Sequence, residues 1–144
     1  MLTESDRAVL DENYRACSMG TEAINTIIRK VTDEKLALEL NRQACKYTNL
    51  ARKVTDKLAR EYETPRGQVT EKAKLWAGLQ LNTLKDTSNE HVAELMIRGN
   101  AMAMTDMMKV VKANKTAKKE YCELAEEIMD FEEKCIETFK TYLK

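Results

Sequence analysis

Apolar residues recur at steps of three and four along nearly the whole chain, the spacing of one face of an α-helix. The first such run predicts a helix over about 3–30, with Leu10, Asn13, Cys17, Gly20, Ile24, Ile28 and Val31 on one face. Thr3 or Ser5 can cap its start, and Glu4 and Asp6 suit the positive end of the helix dipole. Thr32-Asp33 interrupts the pattern, and a second helix is expected over about 33–62. Its inner face is Leu36, Leu40, Gln43, Tyr47, Leu50, Val54 and Leu58. So short a link folds the two helices into an antiparallel hairpin. Glu63–Gly67 holds the only proline and is the clearest break. A shorter helix follows over about 68–86, seated by Leu75, Trp76, Leu79 and Leu81. Asp86-Thr87-Ser88-Asn89 ends it, since these side chains compete with helical backbone bonding. Thr87 with Glu90 reads as a capping box that starts the next helix. The last two helices are expected over about 88–113 and 117–143. The final one turns Tyr121, Leu124, Ala125, Ile128, Glu132, Cys135, Ile136, Phe139 and Tyr142 inward.

The stretch Thr87–Lys112 differs from the rest because it carries two apolar lines. One is Val92, Leu95, Met96, Gly99, Ala103, Met107 and Val110; the other is Ile97, Met104, Met108 and Val111. A helix apolar on both flanks needs cover on both. Either the 68–86 helix lies on the second line, or a second copy of the chain does. A homodimer through the 88–113 helix or the 68–86 helix is therefore the partner expected, with Ile97, Met104 and Met108 as interface candidates. Five of the methionines fall in this helix, and such thioether surfaces can serve adaptable binding, although core filling is the commoner use. The architecture expected is all-α: a single bundle domain over 1–144, made of two antiparallel hairpins joined by a long crossover containing a shorter helix.

Composition narrows the function. With 144 residues, 4 Gly and 1 Pro, the chain is the size of one helical domain and poor in turn formers. Its 24 basic and 24 acidic residues cancel without blocks of either sign, which recommends neither nucleic acid nor an anionic membrane. No apolar run approaches a membrane span, and the acidic start MLTESDRAVLDE is unlike a signal peptide, so a cytoplasmic location is expected. Cys17, Cys45, Cys122 and Cys135 are too scattered for a zinc or redox motif and are read as free thiols.

The order and length of the helices, with Trp76 before the fourth helix and Ile97-Arg98-Gly99 within it, resemble the ferritin-like superfamily. The chain is most similar to the small uncharacterised bacterial four-helix families of that topology. The metal-binding branch of the superfamily carries Glu on two helices and Glu-x-x-His on the other two. At the corresponding places this chain has Cys17 and Gly20, Gln43-x-x-Lys46, Gly99-Asn100 and Glu132-x-x-Cys135. One carboxylate and no histidine remain, whereas a hard di-metal centre needs several carboxylate oxygens. The resemblance thus implies the fold without the di-metal cofactor, and no cofactor is expected.

Periodicity places five polar side chains inside: Gln43, Tyr47 and Glu132 near the middle, and Asn13 with Asp106 in a layer nearer the other end. Such layers either form a small internal site or fix helix register. His91, the sole histidine, stands one turn before Glu94, a weak candidate pair for a metal. The blander reading is a surface histidine beside a Glu94–Arg98 pair. No catalytic residue is assigned, because neither a hydrolytic triad nor a phosphate-binding glycine loop is present. A non-catalytic, metal-free interaction or structural module is the leading expectation. The alternatives are a degenerate metal or redox site around Glu132, His91 or Asp106, and a small-molecule carrier using the bundle interior.

Overall fold

The computed structural model describes residues 1–66, 74 and 77–144. Among them the regular elements are α1 (Glu4–Ile27), α2 (Glu34–Arg60), α3 (Asn89–Ala113) and α4 (Lys119–Lys140), with no strand. A 3-10 turn, Ile28–Lys30, tightens the end of α1, and a π-helical turn spans Ala77–Asn82.

Several helix boundaries have a local chemical cause. Thr3 caps α1: its hydroxyl accepts the Asp6 N–H while the Asp6 carboxylate accepts the Thr3 N–H, each 3.0 Å long. Asp33 caps α2 through the Leu36 N–H at 2.8 Å. That helix ends in a Schellman motif, with Glu63 N–H donating to Leu58 O and Tyr62 N–H to Ala59 O. Tyr62 takes the left-handed conformation the motif requires, at φ 57°. α3 is capped by Ser88, whose hydroxyl accepts the His91 N–H, rather than by the expected Thr87–Glu90 box. The Asp86 carboxylate accepts the Ser88 N–H at 3.0 Å and sets that geometry. The helical turn before it stops at Asn82 instead of continuing to 86. Val69, Leu75 and Trp76 lie outside the described residues, as does the side chain of Leu79; Leu81 is fully buried.

Contacts between the helix ends give the directions. Arg7 donates to Thr64 O at 2.6 Å, so α2 finishes beside the start of α1. The α3–α4 turn sits at that same end, where Lys118 N–H donates to Asp6 at 2.7 Å and Thr116 bonds Ser5. At the other end Lys30 donates to Leu84 O, and Lys144 N–H to Glu90. α1 and α4 therefore run one way, α2 and α3 the other. α1 packs against each of the other helices and against Ala77–Asn82. It is accordingly buried on two faces: Val9, Ala16, Ala23 and Ile27 join Leu10, Cys17 and Ile24 in the core. All seven expected inner residues of α2 are buried.

The two lines of α3 fare differently. Val92, Leu95, Met96, Ala103 and Met107 are buried, and Gly99 and Val110 are half-buried. On the second line Ile97, Met104 and Val111 are half-buried while Met108 is 51% exposed. The described residues of the connecting segment, 77–82, pack on α1 rather than along this line. Within the described residues of one chain, the second line is thus left open at Met108.

Candidate functional site at mid-bundle

Halfway along the bundle, Gly20 of α1 and Tyr47 of α2 meet closer than a residue with a side chain at position 20 would allow. A Cβ on Gly20 would stand 2.4 Å from the Tyr47 ring, well inside contact distance. The missing side chain lets the ring lie flat against α1, so the phenol reaches the centre. Phe131 of α4 holds the ring edge-on, with centroids 4.8 Å apart. The Tyr47 hydroxyl then lies 3.1 Å from Asn100 Oδ1 of α3 and 3.2 Å from Glu132 Oε2 of α4. Every helix contributes to this layer.

Glu132 is 1% exposed. Burial pushes its carboxyl up to about 8, with the bond to Tyr47 working the other way and Glu12 adding a smaller upward push. At neutral pH the acid is mostly protonated. Burial, with Glu132 second, drives the Tyr47 phenol well above its ordinary value. Burial likewise holds Cys17 and Cys135 at about 12, so both stay as unreactive thiols. A cavity of about 20 Å³ adjoins the layer, lined by Gly20, Tyr47, Gly99, Asn100 and Glu132. That is room for a water molecule and little else. Asn100 Nδ2 and Glu132 Oε1 have no protein partner.

Other expected positions fall elsewhere. Gln43 is buried, but its amide donates to Glu39 at 3.3 Å and not into the layer. Asn13 is fully buried and donates to Tyr121 O at 3.2 Å, tying α1 to the first turn of α4. Asp106 is exposed, which corrects its assignment to the interior. The rotation of α3 that buries Asn100, Ala103 and Met107 turns position 106 outward, where its charge bears on Glu12. His91 and Glu94 are partly exposed and 3.7 Å apart, so Glu94 faces His91 rather than Arg98. Among the described residues no group of three or more His, Cys, Asp or Glu side chains is arranged to hold a metal ion. The donors at mid-bundle therefore do not fit a di-metal centre: one mostly neutral carboxyl, an amide and a phenol cannot balance two hard cations.

Asn100, placed at a ligand-equivalent position by the resemblance, was left out of the interior polar residues read from periodicity. The signal was present, because Met96, Asn100, Ala103 and Met107 follow steps of four, three and four. Gly99 sits beside that row, and a glycine reads as apolar. Buried Glu12 was missed for a related reason: it belongs to the second inward face of α1, where it pairs with Arg15 at 2.8 Å. Comparison with protein-family models, curated proteins and solved structures finds no match to this chain.

Proposed function

We propose that this chain is a metal-free ferritin-like bundle with a long crossover, serving as a non-catalytic interaction or structural module. The helix directions support the crossover, since the chain leaves α2 at one end of the bundle and enters α3 at the other. The observation that carries the reading is the composition of the mid-bundle layer. Where the metal-binding branch of that superfamily gathers carboxylates and histidines, Tyr47 and Asn100 here surround the single acid Glu132. A buried, hydrogen-bonded layer of this kind fixes the relative rotation and register of four helices, as lone buried polar residues do in coiled coils.

The partner is a second copy, seated on the α3 line of Ile97, Met104 and Met108, where Met108 stands half out of the surface. Free thiols throughout suit a reducing compartment such as the cytoplasm. A carrier role for the interior is disfavoured by a void of about 20 Å³. Metal analysis of the purified chain should find no stoichiometric iron, manganese or zinc; one bound equivalent would sink the reading. Light scattering should give a dimer, and Met108→Glu should yield a folded monomer. A wild type that stays monomeric at high concentration rejects the dimer.

A further inference from the structure

The layer contains more hydrogen-bonding groups than its own bonds satisfy. Tyr47 has a single hydroxyl proton but lies within bonding distance of two oxygens, Asn100 Oδ1 and Glu132 Oε2. If the phenol donates to Asn100, the carboxyl must donate to the phenol. The remaining atoms, Asn100 Nδ2 and Glu132 Oε1, are a donor and an acceptor, both buried and both without a protein partner. They belong to two of the side chains lining the same small cavity. Left unmade, each would bear the full cost of its lost hydration. A molecule that fits must be no larger than water, accept from an amide and donate to a carbonyl oxygen.

We infer that Glu132, Tyr47, Asn100 and one internal water form a closed ring of hydrogen bonds, a water site built by side chains of α2, α3 and α4 against Gly20 of α1. Neutral Glu132 donates to Tyr47, Tyr47 donates to Asn100, Asn100 donates to the water, and the water donates back to Glu132. Each polar atom of the ring then has a partner, and no charge is buried. The reverse circulation is closed to this arrangement, because Asn100 Oδ1 can only accept and Nδ2 only donate. The other groups facing Glu132 are the Tyr47 phenol and the Cys17 and Cys135 thiols, while the charge bearing on it is Glu12, of the same sign. Of these only the Tyr47 bond favours an anion, and burial outweighs it. Gly20 and Gly99 keep the niche open, because each lines it without a side chain.

Two measurements on the intact wild-type chain test the ring. A crystal structure that resolves ordered solvent should show one water within hydrogen-bond distance of both Glu132 Oε1 and Asn100 Nδ2. Carbon-13 NMR of glutamate-labelled protein should show one carboxyl titrating near 8, far above ordinary glutamates, and the Glu132→Gln variant assigns it by its loss. If that variant does not fold, through-bond assignment of the wild type serves. A dry niche, a different occupant, or a Glu132 signal titrating with the ordinary glutamates overturns the inference.

Discussion

Gly20 is the residue whose chemistry is most exposed to a simple test. Helix propensity alone favours alanine over glycine by about 1 kcal/mol. The close approach of the Tyr47 ring opposes it, since that ring is held by Phe131 and by its hydroxyl bonds and has nowhere to retreat. Gly20→Ala should therefore destabilise, by about 1–3 kcal/mol for an overpacked core, in urea unfolding; a gain in stability would show that the ring yields. Glu132 sets a pH dependence whose sign follows from its raised folded value. Between the ordinary 4.5 and about 8 the folded chain holds a proton that the unfolded chain has lost. Its contribution is complete below 4.5 and declines as pH rises through that window, by at most about 1.4 kcal/mol per pH unit. Subtracting the Glu132→Gln stability profile should isolate the slope, and parallel profiles would contradict the burial. At this scale the sequence was legible for Tyr47 and Glu132, because an amphipathic pattern marks polar intruders on an inner face. It was misleading for Asp106, where a helix buried along two lines leaves its rotation ambiguous by one residue.

The helix ends can be probed one by one. Tyr62 occupies a left-handed position that costs an L-residue about 1–2 kcal/mol, and its side chain is exposed. Tyr62→Gly should thus stabilise the protein by about 0.5–1 kcal/mol; thermal unfolding reads the difference, and a loss would mean the ring makes a contact that matters. At α3 the cap is Ser88, so Ser88→Ala should cost about 1 kcal/mol and Thr87→Ala close to nothing. The reverse order would restore the Thr87 box expected from sequence. Break positions were legible because Asp33, Pro65 and Asp86 forbid or redirect helix. Which oxygen of Asp86-Thr87-Ser88 makes the cap was not, since all three side chains can reach a free N–H and the turn geometry decides between them.

At the scale of the molecule, the end of the bundle where α1 begins is tied by bonds between distant residues. Asp6 there serves both its own helix cap and the Lys118 N–H. Burial presses its carboxyl upward, but the bonds from Thr3 and Lys118 outweigh that and leave it below the ordinary range. Asp6→Ala removes a cap and a long-range bond together. It should loosen the α3–α4 turn, seen as faster amide exchange at Ala117–Tyr121 with little change near Lys30; uniform acceleration would instead mean a global loss. Such a knot joins residues far apart in the chain, which is why periodicity forecast the four described helices and the pairing of α1 with α2 and α3 with α4, but not what clasps their ends. The interior also carries its own optical gauge. Only in the unfolded chain can the Tyr47 phenol ionise at its usual value. During an alkaline titration its ultraviolet phenolate absorbance should appear in one late step, together with the collapse of helical circular dichroism.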